Sequence, residues 1–177
     1  EWHGGKARHI LRDKIIYLER GQVFKIEGKK FFTFGGASSQ DIQGGVLDPH
    51  DPDYARKRIA ANKSRLPYRI KGISWWEQEL PTEEEMQEGI RNLEKVNYKV
   101  DYVITHCLAS SVQEKLEQYF GGGDFIHSYK EDILTEYFDQ LEEKLQYKYW
   151  YCGHYHLDME VDERHGVVYE GIGAVKL

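Results

Sequence analysis

The sequence is poor in methionine: only Met86 and Met159 occur among its 177 residues, and neither opens it. Glu1-Trp2-His3 has the character of neither an initiator nor a targeting segment, which raises the question whether the 177 residues are the whole functional unit. Cysteine is as scarce. Cys107 and Cys152 alone exclude a disulfide framework and predict an intracellular, cytoplasmic chain. Long apolar runs are absent and the mean hydropathy is −0.69, which excludes a membrane-spanning helix and a signal peptide and predicts no membrane partner. Positive charge is the minority. The 24 Lys and Arg against 30 Asp and Glu leave a net charge of −6, which argues against nucleic acid or an anionic surface as partner. Proline numbers four, three of them inside residues 37–80. Aromatic residues, by contrast, reach 14%, too many for a disordered tail. The length suits one domain with its own core.

The order of patterns predicts an α/β fold. Ile15–Leu18, Gln22–Ile26 and Lys30–Phe34 read as strands, the last two joined through Glu27-Gly28-Lys29 as a hairpin. Residues 37–80 carry no clean period and read as a long irregular connection with a basic Arg56-Lys57-Arg58 cluster, taken as a solvated face. Three capping boxes predict helices: Thr82 with Glu85, Ser111 with Glu114, and Ser128 with Glu131. Apolar stretches at Val100–Thr105 and Lys148–Cys152 follow as strands buried on both faces, hence parallel. Met159–Val161 and Val167–Tyr169 return to β around a turn at Glu163–Gly166.

Three of the eight histidines stand at strand ends. His106 follows Val100–Thr105. His154 and His156 follow Lys148–Cys152, with Gly153 expected to make the sharp turn. Ligand sites in open α/β sheets gather at the carboxyl ends of strands, and neutral imidazole binds Zn, Fe and Mn. The His-x-His spacing sets two rings close but pointing apart, so one ion takes both only with a bend and two neighbouring ions take one each. A structural zinc on Cys152, His154 and His156 lacks the fourth ligand such sites use. The remaining alternative leaves each histidine structural or exposed. Cys107 and Cys152 read as small buried thiols, and Trp75-Trp76 as packing of the long connection.

Ile104-Thr105-His106 and Gly153-His154-Tyr155-His156 resemble the two C-terminal motifs of calcineurin-like metallophosphoesterases. Trp2–Lys6, Arg20–Phe24, Phe32–Ser38, Gly72–Trp76 and Glu79-Leu80-Pro81 extend the resemblance to a bacterial and phage branch of that family, of the serine/threonine-phosphatase-like kind. The resemblance implies the C-terminal half of a four-layer α-β-β-α sandwich with mixed sheets, so that residues 1–177 form a partial domain. It implies two divalent ions (Mn, Fe or Zn), with His106 and His154 on the second and His156 on the first. It implies hydrolysis of a phosphate-ester substrate by metal-activated water. The family's Asp-x-His, Gly-Asp and Gly-Asn-His motifs are expected upstream. None of the three is expected within the chain: Asp-x-His is read as absent, Gly123-Asp124 lies in the wrong half, and no Gly-Asn pair occurs. No catalytic residue is therefore assigned, the general-acid histidine and bridging aspartate being expected in the missing N-terminal half. Three neutral imidazoles balance little of the charge of two divalent ions, so weak or no metal binding and no efficient hydrolysis are expected of this chain alone. Self-association through uncovered edges is a further expectation. The alternative is a non-catalytic module with relic histidines or one structural ion.

Overall fold

A computed structural model describes residues 2–3, 7–10, 15–119 and 131–171. The fold is mixed α/β. In chain order the first strands are β1 (Trp2–His3), β2 (Ala7–Ile10), β3 (Ile15–Leu18), β4 (Gln22–Ile26) and β5 (Lys29–Phe34). The long connection contributes β6 (Val46–Leu47), α1 (Tyr54–Ser64) and β7 (Arg69–Ile70). Then come α2 (Glu83–Glu94), β8 (Tyr102–Thr105), α3 (Ser110–Tyr119), α4 (Ile133–Glu142), β9 (Tyr149–Cys152), β10 (Met159–Glu160) and β11 (His165–Val167). Seven strands make one sheet in the order β1-β4-β5-β8-β9-β11-β10, while β2 pairs with β3 and β6 with β7.

The hairpin forms as expected, with Val23 opposite Phe32 and Glu27 and Gly28 in its turn at positive φ. The centre of the sheet is parallel: β5 with β8, β8 with β9, and β9 with β11. Alternation along these strands sorts two apolar faces. Phe32, Phe34, Val103, Trp150 and Cys152 point toward Met86, Leu93, Leu116, Leu134 and Phe138 of the helices. Phe31, Tyr102 and Tyr149 point the other way as a smaller cluster. The edges of the large sheet are the two-residue strands β1 and β10, short enough to offer little template for pairing.

The capping boxes fared unequally. At α2, Thr82 Oγ1 accepts from Glu85 N at 3.2 Å and Glu85 Oε2 accepts from Thr82 N at 2.8 Å, as expected. Ser111 instead lies inside α3, its hydroxyl donating to Asp139 Oδ1 at 2.6 Å. The cap of α4 is Asp132, whose Oδ1 accepts from Leu134 N and Thr135 N. Ser128 lies outside the described residues. The last strand is His165–Val167 rather than Val167–Tyr169, because it pairs in parallel with Trp150–Cys152. The irregular connection holds an unexpected helix. In α1 only Ala61 is buried, so no apolar stripe announces it. It ends at Arg65, φ 57°, in the left-handed conformation that closes helices.

Candidate metal centre at the strand ends

Four parallel strands point their carboxyl ends at one edge. β5 leads into Gly35–Asp41, β8 into His106, β9 into Gly153–His156, and β11 into Val168–Gly171. Backbone bonds strap the ends together: Gly153 N donates to His106 O at 3.1 Å, and Val168 N to Cys152 O at 2.8 Å. His106, His154 and His156 thus share one open cavity of about 500 Å³ with Gly36, Ser38, Ser39, Gln40, Asp41, Arg69 and Glu79.

The turn after β9 is made differently from expectation. Gly153 is not at positive φ. His154 (71°) and His156 (53°) adopt the left-handed conformation instead, which costs L-residues roughly 1–2 kcal/mol each. Tyr155 between them is buried and ties the loop to the core, its hydroxyl accepting from Leu108 N and donating to Gln113 Oε1, both at 3.1 Å. The His106 and His154 rings meet edge to face at 5.1 Å between centroids. The His156 ring stacks on Tyr169 at 4.7 Å and 28°. Asp158 fixes that tyrosine's backbone by accepting from Tyr169 N, Glu170 N and Gly171 N at 2.8 to 3.0 Å.

Burial, followed by the neighbouring histidines, lowers the affinity of His154 for a proton to a pKa of about 4. Burial and then the charge of His156 lower that of His106, against the opposing pull of Glu79. Both rings are therefore neutral at pH 7, the form that ligates metals. The carboxylates on the wall are already engaged. Glu79 Oε2 accepts from Ser39 Oγ at 2.8 Å, and Asp41 holds Arg69 with Oδ1 to Nε at 2.7 Å and Oδ2 to Nη2 at 2.6 Å. Gly36 (φ 118°) lets the wall close on the Glu77–Glu79 turn: a Cβ there would stand 2.4 Å from Glu79 O.

Neutral imidazoles are donors that Zn, Fe and Mn accept. Among the described residues no group of three His, Cys, Asp or Glu side chains stands as a metal-holding set. One correction belongs to the sequence itself. Asp48-Pro49-His50 has the letters of Asp-x-His inside the chain. It forms a turn after β6, where Asp48 Oδ1 accepts from His50 N at 2.8 Å, and it does not line the cavity.

The sequence did not mark Asp41, Arg69 or Glu79. Gly35-Gly36 and Ser38-Ser39 were the available signal. Trp75 is half-buried and Trp76 is 48% exposed; neither lines the cavity. Cys107 and Cys152 are both buried and burial pushes both thiols well up, as inert core thiols require. His165, given no role by the sequence, is buried away from the cavity, with Asp162 Oδ1 2.7 Å from Nδ1 and Glu142 Oε1 2.8 Å from Nε2. No helix among the described residues is long and apolar enough to cross a membrane. Comparison with protein-family models, with curated proteins and with solved structures finds no match to this chain.

Proposed function

We propose that the chain is the histidine-bearing part of a dinuclear metal-dependent phosphoesterase, one half of an α-β-β-α sandwich. The observation that carries this reading is the meeting of His106, His154 and His156, from two parallel strands, in one cavity. The left-handed backbone of two of them supports it, because such strain gathers at functional sites. On this reading His106 and His154 hold one ion and His156 the other. Bound ions would supply charge stabilisation and an activated water for displacement at phosphorus. The chain's own part is to hold three imidazoles, those of His106 and His154 neutral at pH 7, and to wall the substrate with Gly36–Asp41. The carboxylates that balance two divalent ions are to come from a further segment, so this chain alone binds metal weakly and turns over no substrate efficiently.

The test is a titration of the chain with Mn²⁺ or Zn²⁺, read on the histidine ring resonances. His106, His154 and His156 should broaden or shift together at millimolar metal, with His50 and His165 unaffected. Independent responses of the three rings, or none, would overturn the shared site. Efficient phosphatase turnover by the chain alone would overturn its incompleteness. The absence of a three-ligand set among the described residues favours a second reading, a non-catalytic module with relic histidines or one structural ion. The two part on the coding sequence: the three missing motifs in frame before Glu1 support the enzyme.

A further inference from the structure

The net charge of −6 conceals a strong asymmetry. Residues 54–71 carry seven of the 24 Lys and Arg and none of the 30 Asp and Glu. These residues are α1, the turn after it and β7. Three of the cations are spent locally: Arg56 on Asp53, Lys57 on Asp51 and Arg69 on Asp41. Arg58 is flanked by the hydroxyls of Tyr54 and Tyr68. Lys63, Arg65 and Lys71 are exposed and form no ion pair with a carboxylate among the described residues. The segment opens onto the histidine cavity, since Arg69 of β7 is part of its wall.

Large apolar groups are exposed in this segment and just after it: Ile59 of α1 is 57% exposed, and Ile73 (65%) and Trp76 (48%) follow β7. Unpaired cations followed in the chain by an exposed indole suit a single-stranded nucleic acid, which needs charge for its phosphates and a flat face for an unstacked base. An acidic peptide would use the cations and leave the Trp76 ring idle.

We infer that the α1–β7 excursion and Trp76 form a docking surface for single-stranded nucleic acid, which presents a phosphate ester to the histidine cavity. This names the substrate class of the phosphoesterase reading and rests on it for the chemistry. Docking itself needs neither metal nor turnover, so its failure would leave the phosphoesterase reading standing. The four cations outside carboxylate pairs set the salt dependence at a slope of log K against log salt of about −3, at about 0.7 per neutralised phosphate.

The experiment is fluorescence anisotropy of the chain with a labelled oligothymidylate of about ten nucleotides, without metal, across a salt series. Wild type should bind with Kd on the order of 10 µM at low salt. The variant Lys63→Ala/Arg65→Ala/Lys71→Ala should bind at least tenfold more weakly, with the slope reduced to about −1. Trp76→Ala should lose about tenfold, and Trp76→Phe should recover most of it. Lys99→Ala/Lys144→Ala, both exposed and remote in sequence from the excursion, should bind as wild type. The inference is overturned by no binding at millimolar chain, by equal loss in the Lys99/Lys144 control, or by a triple variant that binds normally. Displacement by poly-glutamate as readily as by unlabelled oligonucleotide would assign the surface to an acidic protein and overturn it too, as would an unchanged Trp76→Ala.

Discussion

Replacing His165 by Phe keeps a ring between Tyr147 and Trp150 and removes every polar contact of the imidazole. His165 is 3% exposed and bridges two carboxylates that come from different elements: Glu142 at the end of α4 and Asp162 before β11. Each ring nitrogen lies within hydrogen-bond distance of one of these carboxylates. After substitution Glu142 retains Tyr147 and the half-exposed Arg164, and Asp162 retains Lys115 at 2.7 Å and the Arg164 and His165 backbone N–H groups. A hydrogen bond to a charged group contributes about 1.5–3 kcal/mol. Discounting each for the partners that remain, the loss is about 2–4 kcal/mol. With a urea m-value of about 2 kcal/mol/M for a chain of this size, the midpoint falls by about 1–2 M.

The acid limb supplies the second readout. Burial opposes ionisation of Glu142, but the hydrogen bonds of His165 and Tyr147 and the charges of His165 and Arg164 prevail, holding it below its ordinary range. Burial likewise opposes ionisation of Asp162, and Lys115, Arg164 N–H and His165 overcome it. Carboxyls lowered on folding stabilise the protein above their unfolded pKa values, and that contribution is lost as pH falls through the folded ones. Stability of wild type should therefore drop below about pH 4, and the drop should be shallower in His165→Phe. A midpoint within 0.3 M of wild type (an outcome set by the ~2 kcal/mol/M slope), together with an unchanged acid limb, would refute this account of the network.

Three further outcomes are expected. Gly89→Ala should lower stability by about 1–3 kcal/mol, measured by urea unfolding, because its Cβ would lie 2.4 Å from the Tyr137 hydroxyl that donates to Met86 O. Thr82→Ala should cost about 1 kcal/mol through the lost side-chain acceptor of α2, and Thr82→Ser should restore it. Tyr169→Ala should remove the ring-current shift of the His156 protons seen by NMR, and Tyr169→Phe should keep it, since the stack at 4.7 Å needs the ring and not the hydroxyl.

The parallel centre of the sheet was legible because strands such as Tyr-Val-Ile-Thr and Tyr-Trp-Tyr-Cys show little polar alternation and helices stand between them, although burial on both faces is incomplete, Ile104 being 42% exposed. The cap of α2 was legible for the same local reason. α1 was not, since a helix with one buried residue leaves no period to read. The true cap of α4 was hidden by competition: Ser128-x-x-Glu131 has the letters, while Asp132 makes the bonds. Of the candidate site, the histidines could be placed at strand ends from sequence, because a strand end is a local property. Arg69 and Asp41, 28 residues apart, could not be joined, because their pairing depends on how the long connection folds back. The His165 network was illegible for the same reason.

The loop after β9 separates what the fold needs from what a site needs. A turn from Cys152 back toward β10 requires left-handed residues, and glycine meets that requirement without a Cβ penalty. The chain places glycine at 153, where φ is not positive, and histidine at 154 and 156, where it is. The fold then holds those rings at additional structural expense: Tyr155 anchors the loop from inside, and the Asp158 carboxylate brings Tyr169 onto His156 from outside. Two devices that fix two strained imidazoles are redundant for chain reversal alone. They are economical if the rings must face one point in the cavity beside His106, whose own neutrality at pH 7 is set by burial in the same place. Conformational strain and lowered basicity have separate physical origins: strain falls on His154 and His156, lowered basicity on His106 and His154, and at this edge of the sheet both fall on His154.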